Sequence, residues 1–151
     1  MSTGTDALRS AHRIAYAVGL ALCFGTPGLI ASLILFRVVP PGVEAPEGVY
    51  QQLGYLFTGL VFLSAAWVLW RSGRVLRGFK AIPEARRPAL VLRESLIYAA
   101  VFEASSLCGL IYWMLVGSHA ARHAWGFILL TPLLFSILVP RTDRWMKALE
   151  G

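Results

Sequence analysis

Four long apolar runs divide this chain and limit what it can fold into more than any other feature of its sequence. A helix needs roughly 20 residues to cross a bilayer core about 30 Å thick. The apolar runs, with approximate bounds, cover residues 14–36, 53–70, 95–116 and 120–139. They do not alternate between apolar and polar residues as the strands of a membrane barrel do. The sequence therefore predicts an all-α polytopic membrane protein, a single domain of four transmembrane helices.

The balance of charged and apolar residues excludes several other classes of protein. Charged residues make up 15% of the chain and hydrophobic residues 57%, whereas a soluble domain is about 25% charged. So few charges cannot cover a surface that faces water on all sides. A disordered chain, an ordinary DNA-binding domain and most soluble enzymes are therefore excluded, and no nucleic-acid partner is expected.

Basic residues are concentrated on one side of the predicted bundle. Of the 14 Lys and Arg residues, 12 lie in the N-terminal tail, in the segment 71–93 or in the C-terminal tail. These segments fall on the same side when four helices cross the membrane, and Arg37 and Arg122 fall on the other. Because basic loops stay in the cytoplasm, both termini are predicted to be cytoplasmic, in a bacterial inner membrane.

The segment 71–93 is predicted to be a basic cytoplasmic loop. The residues expected to contact lipid or a partner there are Arg71, Arg74, Arg77, Lys80, Arg86 and Arg87. A helix that continued from the second apolar run would present a broad basic face, and Pro83 should end or bend that helix. Two interpretations stay open: a loop that lies on anionic lipid headgroups, or a docking surface for an acidic cytoplasmic partner.

The sequence contains no arrangement of residues that predicts catalysis. It has no nucleophile motif, no Gly-rich phosphate loop and no pair of carboxylates. His119 and His123 are four residues apart, so on a helix they would share one face that can hold a metal. No acid or cysteine stands nearby in sequence to complete such a site, and an interfacial structural role is the favoured interpretation.

Glu103 is the one acidic residue inside an apolar run. It is the ninth residue of the run that starts at Ser95, which places it about 13 Å into the membrane. An ionised carboxylate at that depth is costly, so it must be protonated, paired or bound to an ion. Ser106 is one helical turn away and can donate a hydrogen bond. The residue is therefore interpreted as a structural hydrogen-bonding group, as a carrier of H⁺ or Na⁺, or as a contact for a substrate.

Prolines interrupt two of the apolar runs. Thr26-Pro27-Gly28 lies in the first run and Thr131-Pro132 in the fourth. Proline removes a backbone hydrogen bond and often kinks a helix. Packing kinks are the favoured interpretation, and an unwound ion-binding or ligand-binding site is the alternative, for which only the two threonines supply polar side chains.

The residues around Glu103 resemble a known family. The stretch Glu103-Ala104-Ser105-Ser106-Leu107-Cys108-Gly109-Leu110-Ile111 resembles the ion-binding helix of the rotor proteolipids of rotary ATPases, the c subunits. Arg86-Arg87-Pro88 is similar to the Arg-x-Pro element of the preceding loop in that family. The resemblance covers about residues 55–117 and leaves out the outer helices. It implies that Glu103 carries H⁺ or Na⁺ in a ring of subunits.

Three functions are compatible with these observations. The first is a structural or accessory subunit of a larger membrane complex, packed against its partner through small residues such as Ser105 and Gly109. The alternative is an oligomeric proton- or cation-translocating subunit that uses Glu103. A third possibility is a small lipid-binding or quinone-binding protein that uses the Trp-rich inner interface.

Overall fold

The regular elements of the chain are all helical in the part that the structure describes. The computed structural model describes residues 3–43, 46–118 and 121–150, without the side chains of residues 3–5. The helices are α1 (Thr3–Leu35), α2 (Glu47–Gly78), α3 (Arg87–Val116), α4 (Ala121–Leu138) and α5 (Thr142–Glu150). Two 3₁₀ turns, Phe79–Ala81 and Glu84–Arg86, connect α2 to α3. The prediction of an all-α chain is confirmed.

Helices α1 to α4 are each long and apolar enough to cross a membrane. The first three contain 33, 32 and 30 residues, which corresponds to about 45–50 Å of helix and exceeds the bilayer core. These helices therefore extend beyond the apolar runs. Because α2 continues to Gly78 and α3 begins at Arg87, the segment 71–93 consists mostly of two helix ends, joined by a short turn at Pro83.

Helix α3 is the centre of the bundle. It packs against α1 and α4, which also contact each other, and α2 lies on α3 from outside this group of three. The most apolar segment of α3 is 44% buried, against 17% for that of α2. The central core contains Cys23, Val68, Tyr98, Phe102 and Phe135. Helix α2 is therefore the peripheral member of the bundle.

The contact between α3 and α4 depends on small and hydroxyl-bearing residues. A Cβ atom added at Gly109 would lie 2.7 Å from the backbone oxygen of Ala124, so the two backbones approach as closely as glycine allows. Ser105 Oγ donates a 2.8 Å hydrogen bond to the carbonyl oxygen of Phe127. Ser105 and Gly109 are both buried within the chain, and the expectation that they contact a partner is wrong.

Helix α1 ends in a Schellman motif, although it has no glycine at the critical position. Arg37 adopts a left-handed conformation with φ of 56°. Its N–H donates to the carbonyl oxygen of Ile34, and the N–H of Val38 donates to that of Leu33. This hydrogen-bonding pattern closes the helix end, but a side chain at such a φ is unfavourable.

Helix α5 packs against the end of the bundle that contains the start of α1 and the α2–α3 turn. The Trp145 ring meets the Phe79 ring edge-on, with the ring centroids 4.9 Å apart. Leu8 of α1 and Val91 of α3 complete this buried cluster. One aromatic side chain of α5 thus connects α1, α3 and the turn.

Candidate functional site

The Glu103 carboxylate lies in the seam between α1 and α3 and is partly buried. Ser106 Oγ lies 2.9 Å from Glu103 Oε2 and also 2.9 Å from the Glu103 backbone oxygen. The single hydroxyl hydrogen of Ser106 is therefore shared between two acceptors. Glu103 Oε1 is buried and has no hydrogen-bond partner among the residues that the structure describes. The structure thus brings Glu103 and Ser106 together and leaves one carboxylate oxygen unsatisfied.

Two side chains of α1 form the other side of this seam. Cys23 and Thr26 face the Glu103 carboxylate, although neither closes a hydrogen bond with Oε1. Cys23 Sγ instead donates a long 3.8 Å contact to the backbone oxygen of Ala99. Pro27 has no N–H, so it cannot supply the hydrogen bond that the Cys23 backbone oxygen would receive in a regular helix. Pro27, the helix breaker of the first apolar run, therefore lies next to the part of α1 that faces Glu103.

A second acid, Glu94, is buried more completely than Glu103. Its side chain is 2% exposed and forms an ion pair with Arg71 of α2. Arg71 Nε donates to Glu94 Oε2 at 2.7 Å, and Arg71 Nη2 donates to Oε1 at 2.9 Å. The guanidinium also lies 5.1 Å from the ring centroid of Trp67. Arg71 is thus partly buried in the contact between α2 and α3.

The sequence does contain a signal for this ion pair. Arg71 is 12 residues before Pro83, and Glu94 is 11 residues after it. In an antiparallel helical hairpin, residues at equal distances from the turn lie opposite each other. Glu103 is singled out because it lies inside an apolar run, whereas Glu94 stands one residue before the third run and does not meet that criterion. Glu94 is identified instead when α2 and α3 are paired across the turn at Pro83.

Glu94 and Glu103 point in opposite directions. They are nine residues apart on α3, and nine steps of a helix bring a side chain to about 180° from its start. Glu94 accordingly faces Arg71 on α2, while Glu103 faces Cys23 and Thr26 on α1. The two acids therefore belong to different helix contacts and do not act as a pair of carboxylates.

The remaining basic residues of 71–93 lie at the surface or stabilise the turn between α2 and α3. Arg74 stacks over the Trp70 ring, with Cζ 4.5 Å from the centroid, and Arg77 donates to the backbone of its own helix. Lys80 and Arg86 are exposed. Arg87 Nε donates to the Ile82 backbone oxygen at 2.9 Å. Its guanidinium therefore stabilises the turn as well as facing the surroundings of the bundle.

The structure describes one of the two histidines considered as metal ligands. His123 is exposed at the start of α4, with its ring centroid 6.1 Å from that of Tyr112. His119 lies outside the described residues. Within residues 3–43, 46–118 and 121–150, no three His, Cys, Asp or Glu side chains converge to form a metal site.

Comparison with known proteins gives no relative from which a function can be transferred. No protein-family model matches the chain, and no curated protein or solved structure matches it either. The site must therefore be interpreted from its own geometry.

Proposed function

We propose that this protein is a small integral membrane subunit with a structural or accessory role, and that it packs against a transmembrane helix of another subunit through the outer face of α2. The observation that carries the proposal is a seam of three small residues, Gly59, Ala66 and Gly73, on the helix that is least buried by its own chain. In membranes, small residues let two helix backbones approach closely.

The seam has the spacing of a helix-packing face. Its residues recur every seven positions, which returns to nearly the same side of a helix after two turns. A Cβ atom added at Gly59 or Gly73 would meet no heavy atom within 4 Å, so the space beside both is open. Phe62 and Trp70 are exposed next to the seam and would flank an approaching helix. A left-handed helix pair is the expected arrangement.

Native purification tests the seam. We expect the Gly59→Leu variant to lose its copurifying membrane chains at least about tenfold, because a bulky residue in a seam of small residues separates the helix backbones. Gly126→Leu is the matched control, since Gly126 lies on α4 and also has open space beside it. Mass spectrometry of the purified complexes gives the ratio of partner to chain. Equal partner recovery from Gly59→Leu and Gly126→Leu would reject the seam.

The proposed arrangement places both termini in the cytoplasm of a bacterium, with four helices crossing the inner membrane. The asymmetry of 12 basic residues on one side against two on the other supports this orientation. Single cysteines placed at Gly48 and Ser118, in a chain without Cys23 and Cys108, should react with a membrane-impermeant thiol reagent from outside intact cells. A cysteine at Gly78 should not. Labelling of Gly78→Cys from outside would overturn this orientation.

Ion carriage by Glu103 is the second candidate function. The unsatisfied Oε1 in the α1–α3 seam favours it, because a protonated or Na⁺-bound carboxylate would use that oxygen. The resemblance to rotor proteolipids points to the same role and to a homo-oligomer. A hydrophobic carbodiimide should then label Glu103, and Na⁺ should protect it from labelling if Na⁺ is the ion. Labelling that is absent from Glu103 and present on the exposed Glu84 would reject this candidate.

A further inference from the structure

A cleft of about 870 Å³ opens between the inner part of α1 and the corner where α4 turns into α5. Its volume lies within the range of about 300–1,000 Å³ that is usual for ligand sites. One end is lined by three guanidinium groups and one carboxylate, and the other by aliphatic side chains. The residues that matter for its chemistry are Arg9, Arg13, Arg141, Asp143, Leu20 and Ala21.

The cleft is built around a buried histidine, which fixes the relative positions of its two walls. His12 Nε2 lies 3.2 Å from the backbone oxygen of Pro140, and Nδ1 lies 2.9 Å from Thr142 Oγ1. A carbonyl oxygen can only accept, so Nε2 carries a hydrogen, and in the neutral imidazole Nδ1 accepts from the Thr142 hydroxyl. The imidazole also stacks on Tyr16, with the ring centroids 5.8 Å apart. These contacts connect α1 to the α4–α5 corner.

The cationic end of the cleft has an excess of positive charge. Three arginines line it against one aspartate, and none of the three forms an ion pair within the described part of the chain. Guanidinium groups suit phosphate because their donors match its oxygens. A free cluster of this kind therefore favours a phosphate-bearing anion.

The apolar end lies deeper along α1. Leu20 is seven residues beyond Arg13, which is about 10 Å along the helix and towards the bilayer core. The order of groups along the cleft is therefore charge first and aliphatic surface second. The headgroup and upper acyl chain of a phospholipid present the same order.

The geometry points to a binding site for one anionic phospholipid, whose phosphate contacts Arg9, Arg13 and Arg141 and whose acyl chain lies along Leu20 and Ala21. The site differs from the basic segment 71–93, which belongs to α2, α3 and their turn. The inference depends on the proposed insertion of the four helices into a bilayer, but not on their orientation or on the α2 seam. If the lipid site is disproved, the recovery of partner chains still tests the α2 seam, so the two failures can be told apart.

Native mass spectrometry of the purified full chain with added phosphatidylglycerol or phosphatidylcholine tests the site. The cleft variant carries Arg9→Gln, Arg13→Gln and Arg141→Gln. The control carries Arg74→Gln, Arg77→Gln and Arg86→Gln, which removes the same charge from the same end of the bundle. We expect about fivefold weaker retention of phosphatidylglycerol for each cleft arginine removed. The control should lose less than about threefold, because Arg74, Arg77 and Arg86 do not line the cleft and act on the lipid only through longer-range attraction that salt screens.

Two further measurements test the site even if the cleft variant folds poorly. Ala21→Trp leaves every charge in place and fills the apolar end, so it should also release phosphatidylglycerol. The melting temperature of the wild-type protein should rise with phosphatidylglycerol and not with inorganic phosphate. Equal stabilisation by inorganic phosphate would overturn the lipid assignment in favour of a soluble phosphate ligand. Equal lipid loss in the cleft and control variants, or equal retention of phosphatidylcholine, would overturn the site itself.

Discussion

The guanidinium of Arg71 and the carboxylate of Glu94 meet through two hydrogen bonds, of 2.7 and 2.9 Å, across the α2–α3 hairpin. The partners differ in exposure, because the Arg71 side chain is 28% exposed and that of Glu94 is 2% exposed. A charge left alone is costly only where water cannot reach it. The two halves of this pair should therefore respond differently to mutation.

We predict that Arg71→Gln destabilises the protein by about 3 kcal/mol, because it leaves the buried Glu94 carboxylate with only the exposed Arg93, whose Nε lies 3.9 Å from Oε1. Glu94→Gln should cost only about 1 kcal/mol, since Arg71 can turn towards water and the amide can still accept a hydrogen bond. The double variant should be more stable than Arg71→Gln alone. The free energy of unfolding, measured by SDS titration in mixed micelles, gives all three values. Equal losses for the two single variants would contradict this asymmetry.

Glu103→Leu should leave the free energy of unfolding unchanged or raise it. Ser106 keeps the Glu103 backbone oxygen as its acceptor after the substitution, and the unsatisfied Oε1 disappears. Sequence reasoning alone leads to the opposite expectation, a loss of about 1–3 kcal/mol from an unpaired donor. Thermal unfolding in detergent measures the effect, with Glu103→Gln as the isosteric control. A large loss for Leu together with none for Gln would show that the carboxylate is a required hydrogen-bonding group.

Ion carriage predicts a separate pattern for the same residue. Glu103→Gln should then assemble like the wild-type chain and abolish proton or Na⁺ flux, while Glu103→Asp should retain part of it. Flux into vesicles that contain the purified subunit, or its native complex, measures this directly. Full flux with Glu103→Gln would exclude Glu103 as the carrier.

Gly109→Ala should destabilise the bundle by about 1–3 kcal/mol. The new Cβ would lie 2.7 Å from the Ala124 backbone oxygen, and overpacking of a fixed backbone has about this cost. Gly126→Ala is the control on the facing helix, where the added methyl meets open space and helix propensity favours alanine by up to about 1 kcal/mol. Similar melting temperatures for the two variants would contradict the close approach of α3 and α4.

Arg37→Gly should stabilise the protein by up to about 1 kcal/mol. Glycine adopts the left-handed conformation at the end of α1 without the steric cost that arginine carries. Arg122→Gly removes the same charge from the same side of the bundle, but Arg122 lies in the first turn of α4, where glycine relieves no left-handed strain, so it should give no such gain. A rise in melting temperature is therefore expected for Arg37→Gly alone, and equal rises for the two variants would contradict this prediction.

The long helices could be predicted from the sequence because apolar length alone separates a membrane helix from other structures. The continuation of α2 past Trp70 towards Pro83 could be raised only as a possibility, because the residues that continue it are basic and depend on local contacts. Arg74 stacks on Trp70, and Arg87 binds the carbonyl oxygen of Ile82. Neither contact has a signature in hydropathy.

The candidate site was predictable in part. Depth in an apolar run is enough to single out Glu103, and helical spacing is enough to place Ser106 beside it. The helix that faces Glu103 could not be predicted, because one sequence does not say which face of α3 meets α1. The same limitation applies to Ser105 and Gly109, whose small size predicts a close contact without saying whether the neighbouring helix belongs to the same chain.

The packing of Trp145 on Phe79 also has a consequence for how the molecule is made. Residues 142–150 leave the ribosome after all four long helices, so the α2–α3 turn is made before the helix that covers it exists. Until then Phe79 lacks its aromatic neighbour, and α1 and α3 are not yet joined through that ring. Closure of this end of the bundle therefore waits for the synthesis of α5.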